Sequence, residues 1–449
     1  MLEVQYLQLY QAYPESWRED QPAEVTIAEL TLLWNCSDRN VKMILKKMEA
    51  CGWIEWRPGR GRGHASRLRC LAEAEAILLG HAQEFVQKGQ LQEALSLLDR
   101  FGQGQDAKAQ FMDWLSAYFG YSSEQKTAER KETLRLPVFR TVPRLDPAIT
   151  FYALEAHLVK QIYNTLVTFH PRFQTIEPQL AHYWEMSPDG LEWKFYLRRG
   201  VMFHHGREMT AQDVAFTFER LMDRERKLPQ SWLFEQLVEV RVLDTWVIRF
   251  RLSRPNHLFL RYLCFPASCI LPSDRPVAGS FDPAGRKSPP SGTGPFSLIE
   301  WNESRVVLEA HKAYFEGRPH LDRVELTIVP EEEQSRLKAP VLDQVLCIHG
   351  GGPLPEGAGY EAIQLINDGC TMMTYNLKKA GPQQDVRFRN ALHHLVDRKT
   401  MVETLGKTAA SRHPGSSPMN TWFTTIMPSI RLLPGGRWRK WATAGSPSV

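Results

Sequence analysis

The residues best equipped for chemistry in this chain are lysines and arginines, and the chemistry they suit is neutralisation of a polyanion. Between Cys36 and Cys70 lie nine of them (Arg39, Lys42, Lys46, Lys47, Arg57, Arg60, Arg62, Arg67, Arg69), opposed only by Asp38, Glu49 and Glu55. The 449-residue chain carries a net charge of only +4, so its positive excess is concentrated in this short stretch. Local charge of that kind is the electrostatic footprint of a nucleic-acid site. Within it stands "WRPGRGRG", Trp56 to Gly63. A phosphate-binding loop requires GxxxxGK[ST] and a dinucleotide loop requires GxGxxG between strand and helix; this stretch has neither spacing. An arginine flanked by glycines is suited to a narrow minor groove, where the potential is most negative. Arg60 and Arg62 fit that role, with Arg57 and His64 flanking them.

Other chemistries find little support. His204-His205-Gly206 invites a metal reading, yet no third ligand stands at a useful spacing. Gly292-Thr293-Gly294-Pro295 lacks the GxSxG of a nucleophile elbow. No Ser-His-Asp, Cys-His or paired-carboxylate arrangement emerges, so no enzyme, cofactor or metal is expected. The seven cysteines (36, 51, 70, 264, 269, 347, 370) include no CxxC pair and read as reduced structural thiols.

The elements that must position the basic residues follow from local pattern. Leu2, Tyr6, Leu9, Tyr10 and Tyr13 recur at helical spacing, and a polar loop follows Pro14 to about Ala23. Thr26 to Glu29 is a capping box that starts a short helix through Leu33. A turn at Asn35-Cys36 leads to Ser37, an N-cap for the next helix, and Gly52 is placed to stop it. In that helix Val41, Ile44, Leu45 and Met48 form an inward stripe. Arg39, Asn40, Lys42, Met43, Lys46 and Lys47 form the opposite face, which is recognition-helix logic. "GWIEW" then alternates like a strand, "RPGRGRG" turns, and "HASRL" returns. The expectation is a winged helix-turn-helix over residues 1–71 that binds double-stranded DNA.

Residues 72–133 read as a helical connector ending in a polar linker, "SSEQKTAERKE", at 122–132. From Leu134 strands and helices interleave. Asp189-Gly190 fits a hairpin turn before the strand "LEWKFYL", and Thr210 to Asp213 fits a helix start. Tyr375-Asn376 is placed to approach a ligand, and His393-His394 reads as packing or surface on a helix.

"LDPAITFYALEAHLVKQIYNTLVTF", "IEPQLAHYWEMSPDGLEWKFYLRRGVMFHHGREMTAQDVAFTFERL" and "GTGPFSLIEW" resemble the family 5 solute-binding proteins of peptide and nickel ABC importers. "LEAHKAYFEGRPHLDRVEL" and "DVRFRNALHHLVDRKTMV" share that resemblance, which covers about residues 134–406. It implies an α/β two-lobed domain of the type II periplasmic-binding-protein kind, with a ligand held between the lobes. A winged helix ahead of such a domain is similar to the SgrR family of transcriptional regulators. The resemblance implies a multidomain cytoplasmic regulator: winged helix, connector, then a solute-binding domain whose peptide, sugar or phosphosugar effector tunes DNA binding. The alternative is the binding component of a peptide/nickel-type transport system with an N-terminal extension. Ligand-binding residues and oligomeric state are not legible.

No secretory leader and no run of roughly 18 apolar residues is found, so no membrane insertion is expected. After Glu403 the last 46 residues contain no Asp or Glu, although about five would be expected at the chain-wide rate. The resemblance ends near Gly406, so the solute-binding domain is expected to be incomplete. Residues 407–449 are expected to be an out-of-frame or disordered tail.

Overall fold

In the computed structural model of the chain, residues 2–17, 22–59, 65–102, 105–126, 129–171, 173–275, 290–337, 341–342, 345–346, 369–371, 375–397 and 423–425 are described. The chain divides into two compact units, Met1–Pro340 and Val341–Val449.

The first unit opens with α1 (Leu2–Ala12), β1 (Ala23–Val25), α2 (Ile27–Trp34), α3 (Asp38–Ala50), β2 (Ile54–Arg57) and β3 (Ser66–Cys70). The strands form one sheet in the order β1-β3-β2. This is the helix, strand, helix, helix, strand, wing, strand order of a winged helix. The expected polar loop up to Ala23 therefore ends in a strand. β1 is only three residues long and pairs across β3, Val25 opposite Ser66, so no local periodicity announced it. Each element has a local cause. Thr26 and Glu29 cap α2 reciprocally: the Thr26 N–H donates to Glu29 Oε2 at 2.7 Å, and the Glu29 N–H to Thr26 Oγ1 at 3.2 Å. Asn35, left-handed at φ 45°, ends that helix and turns the chain into α3.

Three helices follow, α4 (Ala74–Gln87), α5 (Leu91–Phe101) and α6 (Gln105–Tyr118). Their apolar faces share one core with the winged helix, running from Tyr6 and Leu9 through Leu78 and Phe111 to Val329. The stretch 122–132, expected to be a linker, is instead a hairpin. β4 (Gly120–Lys126) and β5 (Glu129–Val138) pair from Gly120 opposite Arg135 to Lys126 opposite Glu129. Polar side chains do not distinguish it from a linker, because an edge strand in contact with water carries just such residues.

Beyond the hairpin, α7 (Ala153–Ile162) precedes the small ribbon β6 (Val167–His170) and β7 (Thr175–Pro178). Then come β8 (Ala181–Met186), β9 (Glu192–Leu197), α8 (Ala211–Met222), β10 (Leu237–Asp244), β11 (Val247–Leu252) and the short α9 (Phe259–Tyr262). β12 (Phe296–Trp301), β13 (Arg305–Ala310) and β14 (Arg323–Ile328) complete the unit. A four-stranded sheet runs β10-β11-β9-β8, and a five-stranded sheet runs β12-β13-β14-β5-β4. The expected hairpin turn holds Gly190 at φ 70°, between β8 and β9. Alternate residues of β9 and β11 (Trp193, Phe195, Leu197; Ile248, Phe250, Leu252) point inward onto Val214 and Phe218 of α8.

In the second unit, Val341–Leu342 pairs with Val345–Leu346 (β15, β16). β17 (Gly369–Thr371) pairs with β18 (Phe423–Thr425), and α10 (Val386–Leu395) is capped by Asp385 accepting the Arg387 N–H. Among the described residues no helix is long and apolar enough to cross a membrane.

Candidate nucleic-acid interface

The amphipathic pattern of α3 sorts its residues as expected. Val41, Ile44, Leu45 and Met48 are buried, while Arg39, Asn40, Lys42, Met43, Lys46 and Lys47 are exposed. Burying four such side chains favours this seating by roughly 1.5–3 kcal/mol each before entropy. Thr31 of α2 places its hydroxyl within 3.2 Å of Asp38 Oδ1 and 2.8 Å of the Ile27 carbonyl, tying the first turn of α3 to α2. Ser37 stands at the N-cap of α3, but its side chain makes no capping hydrogen bond. Among the described residues none of Arg39, Lys42, Lys46 and Lys47 is held in a salt bridge, so four cations on one helical face are available to phosphates.

The wing grows from β2 and β3, which pair Ile54 with Cys70, Glu55 with Arg69, Trp56 with Leu68 and Arg57 with Arg67. Ile54, Leu68 and Cys70 are buried and Trp56 packs against the same core, so the charged residues stand on the other face. Pro58 has no N–H to continue the ladder. The Gly59 N–H instead donates to the Ser66 hydroxyl at 3.1 Å, which closes the base of the hairpin. Arg60, Arg62 and His64, assigned to the tip, lie outside the described residues.

Two charges differ from what composition alone suggests. Arg57 is engaged by Glu55, with Nε at 2.8 Å and Nη2 at 2.5 Å from Oε1, so part of its charge is spent within the strand. Arg67, by contrast, is exposed and faces Arg57 across the ladder, with Glu24 of β1 on its other side. Like charges directly opposite are unfavourable in a sheet, and Glu55 beside Arg57 and Glu24 opposite Arg67 offset that cost. Arg67 is counted among the nine basic residues but not assigned to the DNA-contact set, and Ser66 is in neither. The signal was present in "SRLRC", whose alternation sends Ser66, Leu68 and Cys70 to one face and Arg67 to the other.

The histidine pair serves the fold. His204 Nε2 lies 3.0 Å from the Gly294 carbonyl, and its Nδ1 accepts the Gly292 N–H at 3.2 Å, which assigns a neutral ring. Burial, with His311 alongside, pushes the His204 pKa down to about 4. His311 Nδ1 reaches the same carbonyl at 3.2 Å. These rings clasp the strand entrance where Gly292 and Gly294 press against the end of α7. A methyl on Gly292 would meet Tyr163 Cδ1 at 2.6 Å and the Ile162 carbonyl oxygen closer still. His205 Nδ1 is 2.7 Å from Ser291 Oγ. Among the described residues no group of three His, Cys, Asp or Glu is arranged to hold a metal ion.

Asp213, fully buried at the start of α8, closes the capping box with Thr210 and accepts from both Nη atoms of Arg207 and from Ser273. Burial opposes its charge, but those donors outweigh it and hold its pKa below the usual carboxylate range. The side chain of Asp146 is likewise paired, with Arg220 on α8, both buried. In the second unit Asn376 Oδ1 accepts the Lys378 N–H at 3.0 Å, and His393 and His394 lie on α10.

Comparison with known proteins sets these sites in context. The family described as "Bacterial extracellular solute-binding proteins, family 5 Middle" matches residues 175–430. That match runs past Gly406, where the sequence resemblance was expected to end. "Sugar transport-related sRNA regulator N-term" matches residues 1–124. The chain is 34% identical over 388 residues to the "Uncharacterized protein YhjP" of Bacillus subtilis (strain 168), covering 86% of this chain and 63% of that protein. It is 32% identical over 331 residues to the "HTH-type transcriptional regulator SgrR" of Yersinia pestis (strain Pestoides F), covering 74% of this chain and 54% of that one. The chain thus spans a little over half the length of these curated relatives. Among solved structures it is similar to MoaA from A.tumefacien R10 in complex with mannopinic acid (25% identity, TM-score 0.49, 62% and 58% of the two chains).

Proposed function

We propose, since this chain belongs to the family 5 bacterial extracellular solute-binding proteins and carries a winged helix ahead of the matched region, that it is a DNA-binding transcriptional regulator sensing a small solute. The observation that carries this reading is the joining of one exposed basic face, on α3 and the wing, to a solute-binding-type domain in one chain. The match of residues 1–124 to a regulator's N-terminal domain and the similarity to an HTH-type regulator support it.

In this reading α3 enters the major groove. Arg39 and Asn40, on its first turn, reach base edges, Met43 offers an apolar contact, and Lys42, Lys46 and Lys47 neutralise phosphates. The wing, with Arg57 at its base and Arg60, Arg62 and His64 toward its tip, follows the adjacent minor groove. The effector is a small polar solute of the peptide, sugar or sugar-phosphate classes. It shifts DNA affinity by binding one arrangement of the sensor better than another. Such a protein works in the cytoplasm, where its DNA is.

The test is selection of bound fragments from genomic DNA by the purified full chain, followed by affinity measurements over a range of salt. Binding with a steep dependence of log K on log salt supports the reading. Failure to retain any duplex above the background of a chain lacking residues 1–71 overturns it. Thermal-shift screening with short peptides, sugars and sugar phosphates then identifies the effector class.

A further inference from the structure

The turn between α4 and α5, behind the winged helix, meets the five-stranded sheet at one side chain of β13. Gly89 ends α4 in the left-handed region, at φ 78°, with its N–H donated to the Val86 carbonyl at 2.8 Å. Against its bare Cα lies Arg305, the first residue of β13. A methyl on Gly89 would fall 2.6 Å from Arg305 Cζ, and closer still to Nε and Cδ. The same guanidinium is held side-on by Glu300, with Nε to Oε1 at 2.8 Å and Nη2 to Oε2 at 2.6 Å. Its Nη1 reaches the Gln87 carbonyl at 3.5 Å. Asn302 Nδ2, donating to Glu300 Oε1 at 2.7 Å, fixes that carboxylate in turn.

Two further contacts brace the junction. Arg135 of β5 stacks over the Tyr118 ring at 4.9 Å and pairs with Glu325 at 3.3 Å. Lys108 of α6 bridges Asp99 and the buried Glu333, each at 2.9 Å. Nor is there a hinge between α6 and the sheet. Only Phe119, itself buried, separates α6 from β4, and β4 is a strand of that sheet.

We propose that Arg305 is a positioning residue that locks the α4–α5 turn onto β13, so that the winged helix and this sheet move as one body. The path is continuous. Arg305 holds the turn, α4 packs on α1, and α1 shares its core with α2 and α3. An effector signal reaching the sheet is thereby passed to the recognition helix without bending at residues 122–132. This extends the DNA-binding reading above and rests on it.

The experiment is hydrogen exchange on the full chain, free and bound to a captured DNA fragment, for wild type, Arg305→Met, Arg305→Lys and Glu300→Gln. In the free protein, Arg305→Met accelerates exchange of the Lys88, Gly89 and Gln90 amides about tenfold and leaves β2 and β3 unchanged. Arg305→Lys behaves like Arg305→Met, because an ammonium cannot reproduce the planar fork that spans Glu300 and the turn. Bound DNA slows exchange in β13 of the wild type, whereas in Arg305→Met it protects α3 alone, at an affinity within about threefold of wild type. Glu300→Gln, which keeps the arginine and removes its orienting charge, shows the same pattern at smaller amplitude and serves if Arg305→Met does not fold. Free-state exchange unchanged at 88–90, or DNA protection reaching β13 equally in wild type and variants, overturns the proposal. If wild type binds no DNA, the DNA reading fails instead, and the free-state comparison still decides the role of Arg305.

Discussion

The Ser66 hydroxyl accepts the Gly59 N–H at 3.1 Å, and this one bond closes the base of the wing on the side where Pro58 ends the strand ladder. Ser66 is buried and lies in register with Val25, so it is held by β1 while it holds the wing. Ser66→Ala is expected to lower DNA affinity about threefold to tenfold and to flatten the salt dependence, because the loop arginines lose their aim. Ser66→Thr, which keeps the hydroxyl, is expected to restore both. Fluorescence anisotropy with a selected fragment, over a range of salt, measures it.

The pairing of Arg57 with Glu55 makes a prediction of unusual sign. Glu55→Gln releases the guanidinium and is expected to strengthen DNA binding about twofold to threefold, with a steeper salt slope. Lys46→Ala and Lys47→Ala each remove an unpaired cation and are expected to reduce that slope by about one. Arg57→Ala costs less than either. Equal losses for Arg57 and Lys46 would contradict the pairing.

Glycines of this chain divide by what stands next to them. Gly292→Ala forces a methyl against the end of α7 and is expected to cost about 4 kcal/mol or more, enough to prevent folding of the sensor. Gly200→Ala meets open space, and at φ 74° it bears only backbone strain, about 1–2 kcal/mol. Urea titration of the two variants separates them.

The His204 clasp predicts a pH dependence. The folded ring holds its proton less tightly than an ordinary histidine, its pKa lying at about 4 against 6.5. Between those values the unfolded chain binds more protons, so stability falls as the pH drops through that window and levels off below it. The full span corresponds to on the order of 3 kcal/mol for this group. His204→Gln, which retains a donor toward the Gly294 carbonyl, is expected to be less stable at pH 7 but to show a shallower loss between pH 6.5 and 4. Denaturation midpoints at half-unit pH steps test this.

Much of the winged helix was legible because its signals are local. The Thr26–Glu29 capping box, the Val41-Ile44-Leu45-Met48 stripe and the alternation of "GWIEW" each depend on neighbours within four residues. What was missed near the wing was equally short but lacked a period: β1 has three residues and exists because β3 pairs with it. The sequence of 122–132 does not tell a strand from a linker, because polarity in a single strand looks the same at a sheet edge as in a free chain. No sequence pattern distinguishes Arg57, engaged by Glu55, from Lys46, which is in no salt bridge among the described residues, since the direction each side chain takes decides it.

The amino-acid sequence by itself determined the cap of α2, the buried and basic faces of α3 and the alternation of β2 through spacing along the chain, and the kinship of the large domain through its resemblance to a known family. Only the tertiary structure decided what those parts are fastened to. Arg305 meets the Gln87 carbonyl across 218 residues, and Arg135 meets Glu325 across 190. Contacts at such separations leave no periodicity in the sequence, because their geometry is set by how whole sheets and helices pack. The residues proposed to bind DNA are therefore written locally, and the residue proposed to fasten them to the sheet emerges only once the chain has folded.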